Sequence, residues 1–295
     1  FPALNVIDDK EGHSYFEMRG LVYSVNEFRE GPVLRWGEIA GAKLRNAAIL
    51  QAKLHQLTEG FEEGFDSTAY LVENSPDFGE LGKGLFINKH RIALAYAEGL
   101  DTQELSETQK LFLFNHELYL KICLTQVEKL RRNLPIEVLG RLPKCVIHGD
   151  YYSRNIVWRG DEIDLVLDWE TAGKMPRVYD VANELIIDVL SRGNTDLKVD
   201  KVVDYVKAYQ EAAGANKLTQ EEIEALPEML REKALRLMKN RFDYMLRGRD
   251  TRGAIAWKAL VKFFEDLDTH KDEIISRCTA VSVGLPEARP VPTAD

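Results

Sequence analysis

Residues 146–170 read VIHGDYYSRNIVWRGDEIDLVLDWE, with two short β-branched runs, IVWR and DEIDLVLD, on either side of Arg159-Gly160-Asp161. Runs of this kind around a Gly turn read as a tight antiparallel hairpin, and KCVIH just before it reads as a third strand. A hairpin fixes its own register, so it also fixes what meets at its open end. Here that is Asn155, before the first strand, and Asp168, after the second. Asp150 lies in the loop that feeds the first strand, and His148 closes the strand before it. Folding a hairpin requires none of these polar side chains. Any fold built around the stretch must carry three oxygen-bearing groups along one edge.

The surroundings of the hairpin are helical. Residues 14–28 are β-rich on both sides of Arg19-Gly20 and read as two paired strands. From 37 to 57, Ala40, Leu44, Ala47, Leu50, Leu54 and Leu57 recur at helical spacing, with His55 near the end as a packed or capping side chain. Residues 61–91 have loop composition. A long helix follows, opened by the capping box Ser106-Glu107-Thr108-Gln109, with Leu111, Phe114, Leu118 and Ile122 as its apolar face. Pro135 ends that helix. After Pro176 the pattern is helical to about Ser276, and GLPEARPVPTAD has the composition of a frayed tail. The expected class is α+β: a small β piece, a connector, and a large helical body into which one polar hairpin is set.

Composition narrows the partners. With 45% hydrophobic and 29% charged residues in 295, the chain is an ordinary globular one. It has no apolar run long enough for a membrane helix, and its N-terminus lacks signal-peptide character, so a cytoplasmic protein with no membrane partner is expected. Cys123, Cys145 and Cys278 are odd in number and widely spaced, which fits buried reduced thiols. The formal net charge is −9, and apart from residues 236–252 the basic residues are dispersed. Nucleic acid is therefore not an expected partner, because binding it needs concentrated positive charge. A small cationic partner suits the acidity better.

Two carboxylates and an amide brought together repel unless a proton or a cation lies between them. Oxygen ligands of this hardness suit Mg²⁺, which takes one or two carboxylates and completes its shell with water and phosphate oxygens. With Asn155 and Asp168 as the metal ligands, Asp150 is the carboxylate left to take a proton from an incoming hydroxyl. Phosphoryl transfer requires this division of labour.

The spacing also carries a resemblance. Protein kinases read H-R-D-x-x-x-x-N and then D-F-G. This chain has His148-Gly149-Asp150, Asn155 at the same offset, and Asp168-Trp169-Glu170. The H-G-D and D-x-E variant resembles the aminoglycoside phosphotransferase and choline kinase family, including its homoserine-kinase-like branch, across the chain in order. The resemblance implies a protein kinase-like fold and ATP as phosphate donor. It implies Asp150 as catalytic base, Asn155 and Asp168 as metal ligands, Glu170 as a further ligand, and His148 as a brace for the loop. It further implies that Asp180, after Tyr179, accepts backbone hydrogen bonds from that loop, and that adenine bonds to the backbone near Glu27 and Phe28.

On this resemblance residues 1–31 are a remnant of the nucleotide lobe with its hinge, residues 32–283 the helical lobe with the catalytic hairpin, and residues 284–295 a tail. Only thirteen residues precede the strands at 14–28, too few for a phosphate-covering loop, a strand lysine and a helix, and Lys10 falls in a polar turn. The chain thus resembles a family member lacking most of its small lobe, and these residues alone are expected to bind ATP weakly and turn over poorly. Missing strands would expose Tyr15, Phe16, Leu21 and Tyr23, an edge through which two copies could pair.

The acceptor is expected beside Asp150 among the acidic residues of 180–188 and 221–243, as an ammonium-bearing alcohol such as an aminoglycoside, choline or homoserine. The segment 218–246 is similar to the homoserine-kinase-like branch in its acidic start and its Leu-Pro before a basic helix. Two other readings use the same residues: a kinase-like binding or regulatory protein without catalysis, and a metal-dependent hydrolase.

Overall fold

Arg19 and Gly20 both take positive φ, 54° and 75°, which is what the two centre residues of a type I′ turn require. Strands β1 (Phe16–Met18) and β2 (Leu21–Tyr23) pair antiparallel across them, Met18 against Leu21 and Phe16 against Tyr23. This computed structural model describes residues 1–3, 5–34, 38–61, 107–189, 197–246 and 253–284. The residues before β1 form isolated bridges, Ala3 alongside Val166 and Val6 against Asn26. Lys10 lies in an exposed turn.

The expected α+β class is what the chain forms. Helix α1 (Gly41–Leu57) is followed, after residues outside the description, by α2 (Glu107–Asn133) and the short α3 (Ile136–Arg141). Strand β3 (Lys144–Ile147) leads into the hairpin of β4 (Ile156–Arg159) and β5 (Glu162–Val166), which turns at Gly160. Strand β6 (Gly173–Pro176) returns to pair with β3, Ile147 opposite Gly173. Helices α4 (Arg177–Val189), α5 (Val199–Ala212), α6 (Gln220–Leu246) and α7 (Gly253–Ser282) complete the body.

Helix α1 packs on α5, α4 on α6, and α7 covers α5 and α6. Their shared core includes Leu185, Ile186, Val202, Leu226, Leu230 and Phe263, all at most 1% exposed. Each such side chain contributes on the order of 1.5–3 kcal/mol by leaving water. Among the described residues no helix is long and apolar enough to cross a membrane.

Several expectations need correction. Helix α1 starts at Gly41, not 37, because Ala40 is extended (φ −159°) and Gly41 has φ +56°. In α2 the buried face is Leu120, Cys123, Val127 and Leu130, whereas Leu118 is 56% exposed and Ile122 is only partly buried. Helical spacing fits either stripe; packing on α6, where Cys123 Sγ lies 3.8 Å from Met238 Sδ, selects the one through Cys123. The side chains of Leu111 and Phe114, the cap at Ser106, the loop over 62–91 and the tail after Gly284 lie outside the described residues. The strand Gly173–Pro176 had not been expected.

Candidate active site

The loop between β3 and β4 is shaped first by Gly149. Its φ is +81°, and a Cβ there would lie 2.4 Å from the Thr171 carbonyl oxygen. No other residue type fits without moving the 169–171 turn. The hydroxyl of Thr171 donates to the His148 carbonyl at 3.1 Å, so loop and turn are clamped together.

His148 is fully buried. Its Nδ1 accepts from the Asp150 backbone N–H at 3.2 Å, which leaves Nε2 to donate to the Leu167 carbonyl at 2.8 Å. The neutral ring with its proton on Nε2 satisfies both bonds. It links the residue before Asp168 to Asp150 itself, and its ring packs 4.5 Å from Trp169.

Beneath the loop, Asp180 in the first turn of α4 is buried and takes four donors. Its Oδ1 accepts from the Gly149 N–H at 2.9 Å, and its Oδ2 from the His148 N–H at 3.3 Å, Gln51 Nε2 at 3.2 Å and His55 Nε2 at 3.3 Å. Burial pushes this carboxyl up, but the His55 hydrogen bond and charge, with the Gly149 N–H, outweigh it and hold it below its ordinary value. The donors are themselves oriented: Tyr209 Oη bonds His55 Nδ1 at 2.7 Å, and Tyr205 donates to Gln51 Oε1 at 2.9 Å. Helices α1, α4 and α5 thus converge on two backbone amides of the loop.

Above it, the half-buried Asp150 receives Asn155 Nδ2 on its carboxylate at 3.0 Å and on its carbonyl at 2.9 Å. Both bonds use the amide nitrogen, so the amide oxygen stays available to a cation. The Asn155 carbonyl accepts from the Leu167 N–H at 2.8 Å, bringing the strand ends at 155 and 168 side by side. Asp168 is left-handed, φ 66° and ψ 59°, a conformation that costs a non-glycine residue on the order of 1 kcal/mol or more and that Asp tolerates better than most. Its side chain caps nothing in the turn that follows and is exposed to solvent. Burial raises the Asp150 carboxyl, and the Asp168 charge raises it further; the Lys233 ammonium and the Asn155 bond oppose them.

The structure therefore brings Asp150, Asn155 and Asp168 to one edge, with His148 and Asp180 behind them. Glu170 is exposed in the turn 169–171. Among the described residues, the only three His, Cys, Asp or Glu side chains with ligand atoms within 4.8 Å of one another are Asp9, Glu11 and His13, all exposed. Asp150, Asp168 and Glu170 do not close to that spacing. Glu27 pairs with Asn5 and Arg29, and its N–H is taken by the Asn5 carbonyl. Phe28 is 88% exposed.

Residues 1–219 match the sequence profile of the phosphotransferase enzyme family, APH. The chain belongs to this family. The resemblance drawn from His148-Gly149-Asp150, Asn155 and Asp168-Trp169-Glu170 was to the same family. The homoserine kinase of Methylobacillus flagellatus is 35% identical over 107 residues, 35% of this phosphotransferase-family chain and 31% of that protein. The match thus spans less than a third of that relative. The aminoglycoside phosphotransferase of Alicyclobacillus acidocaldarius superposes with a TM-score of 0.58 at 14% identity, over 97% of this chain and 79% of that one. An amicoumacin kinase in complex with AMP-PNP, Ca²⁺ and Ami superposes at 0.51 with 12% identity, over 97% of this chain and 73% of that one. The fold is the kinase-like one of these proteins.

Sequence reasoning missed Gln51, Tyr205, Tyr209 and Lys233, and read His55 as a packed or capping side chain. A signal existed for two of them. Gln51 and His55 are polar residues four apart on the otherwise apolar stripe of Leu44, Ala47, Ala48 and Leu54.

Proposed function

We propose that the protein is an ATP-dependent phosphotransferase that moves the γ-phosphoryl group to a hydroxyl of a small, amine-bearing molecule of the aminoglycoside, choline or homoserine kind. The observation that carries this reading is the Asn155 amide gripping Asp150 through its nitrogen, with its oxygen free and Asp168 exposed beside it.

The oxygen donors suit Mg²⁺: Asn155 and Asp168 would hold it, with Glu170 joining through water. Bound there, the ion supplies charge neutralisation for the nucleotide phosphates. Asp150 accepts the proton of the acceptor hydroxyl as the acceptor oxygen bonds to the γ-phosphorus and ADP leaves with the former bridging oxygen. His148 and Asp180 keep the loop shape that aims Asp150. Adenine has the Glu27 carbonyl and the Phe28 N–H to bond, since the Glu27 N–H is already used. Residues 1–31 then serve the nucleotide and residues 32–283 the acceptor, whose ammonium suits the acidic balance of the chain. A cytoplasmic setting, where ATP is supplied, fits this reading.

The test is the full-length protein with MgATP and a panel of amino alcohols, followed by ADP release and by mass spectrometry of the acceptor. Transfer to an amine-bearing alcohol is expected. Nucleotide binding with no product from any acceptor would favour a binding or regulatory protein, and phosphate release independent of acceptor would favour a hydrolase.

The N-terminal hairpin motivates a proposal about assembly. Tyr15, Phe16 and Leu21 are 59%, 43% and 60% exposed, and among the described residues β1 and β2 pair only with each other. An open apolar edge of this sort recruits a further strand, so two copies should associate through it. Sedimentation equilibrium of this chain should show a dimer that Leu21→Lys dissociates; a monomer at every concentration rules the pairing out.

A further inference from the structure

Strands β3 and β6 stay paired only as far as Ile147 opposite Gly173. Past that rung the two segments part, one running forward to Asp150 and the other back to Asp168. The next carbonyl along β3 is that of His148, and it accepts the Thr171 hydroxyl at 3.1 Å. A side chain thus takes over where the backbone ladder stops. It moves the last tie from three residues short of Asp150 to two, and from five residues short of Asp168 to three.

His148 therefore meets both ends of the turn that carries Asp168 and Glu170. Its ring Nε2 donates to the Leu167 carbonyl at 2.8 Å, just before Asp168, and its own carbonyl takes the Thr171 hydroxyl, just after Glu170. The Nδ1 of the same ring accepts the Asp150 N–H at 3.2 Å. Loop and turn are bracketed through one residue, and the downstream arm of the bracket is a single hydroxyl. The approach there is close, since a Cβ added at Gly149 would stand 3.0 Å from the Thr171 Oγ1. Thr171 itself is exposed and adds nothing to the core, yet its hydroxyl bonds inward to a residue 23 positions away. Branching at Cβ leaves the side chain few rotamers, which keeps the hydroxyl aimed.

We propose that Thr171 is a positioning residue for phosphoryl transfer: by holding the His148 carbonyl, its hydroxyl sets how far the turn bearing Asp168 stands from Asp150. The proposal rests on Asp150 and Asp168 acting together in that reaction. Thr171 forms and breaks no covalent bond and acts only through the loop.

The test uses the full-length protein with MgATP and the acceptor that the panel gives. Thr171→Val keeps the branched shape and removes the hydroxyl. It is expected to lower kcat by about 10-fold or more, with KM for both substrates within about threefold of the parent. Thr171→Ser restores the hydroxyl and should return kcat to within about threefold of the parent. A threonine needed only for its shape would give the reverse order, with Thr171→Ser the slower protein. Hydrogen exchange of the nucleotide-free protein gives a reading that needs no turnover: in Thr171→Val the Gly149 and Asp150 amides should lose protection while those in the middle of α6 keep theirs. Where Thr171→Val does not fold, Thr171→Ala, which also lacks the hydroxyl, is read in its place. Parental kcat in Thr171→Val, a Thr171→Ser protein as slow as Thr171→Val, or a loss confined to KM overturns the proposal, and so does unchanged exchange at Gly149 and Asp150. A parent that transfers phosphate to no acceptor would instead remove the functional reading, while the exchange comparison would still decide whether Thr171 holds the loop.

Discussion

Asp150→Asn should reduce turnover by about 10²- to 10⁴-fold, the usual worth of a positioned general base, while the protein still folds and the KM for ATP stays near the parental value. The substitution keeps the shape of the side chain. Its amide oxygen can still accept from Asn155 Nδ2, now 3.0 Å from the carboxylate, but the group can no longer take a proton from a hydroxyl. Stability has two opposing contributions. Burial and the Asp168 charge raise the Asp150 carboxyl, so neutralising it removes a desolvation cost. The same change leaves Lys233 facing one negative charge fewer. These act in opposite directions, and the melting midpoint should move little compared with the loss of rate. Steady-state kinetics beside a thermal melt separate the outcomes. Parental kcat in Asp150→Asn would remove Asp150 from the chemistry, and a collapse of the fold would show it to be mainly structural.

The hairpin, its turn and the meeting of 155 with 168 were legible because they depend only on local register, which the sequence states within twenty-five residues. The support beneath the loop was not. Gln51, His55, Tyr205 and Tyr209 come from α1 and α5, far from Asp180 in sequence, and helical periodicity says which face is buried without saying what it meets. The same limit explains α2, where two stripes share a period and only the packing against Met238 chooses between them. Strand Gly173–Pro176 was hidden for another reason. It is four residues long, begins with Gly, ends in Pro, and has no alternation to read; it exists because β3 offers it a partner. Lys233 was hidden by its helix, where a lysine ordinarily marks a solvated face.

Asp180→Ala should be the most destabilising single substitution at the site. It removes the acceptor for the His148 and Gly149 N–H groups, His55 Nε2 and Gln51 Nε2. His55, Gln51 and the His148 residue are at most 1% exposed, so water cannot replace what is lost. Breaking a buried charged network in this way costs about 3–5 kcal/mol, or on the order of ten degrees in the melting midpoint. The catalytic loop loses its anchor at the same time, so activity should fall even below the melt. Acid should reveal the same group. Since the folded carboxyl is held below its ordinary value, the unfolded chain binds its proton first as pH falls. The stability Asp180 contributes is thus complete above about pH 4 and is lost as pH drops through the folded value. Asp180→Asn has no proton to bind there, so as pH falls from about 4 through that window its unfolding free energy should decline less than the parent's. Denaturant unfolding of both proteins across that range gives the comparison, and parallel curves would mean that the carboxylate charge, as distinct from the shape of the side chain, contributes nothing to holding the loop.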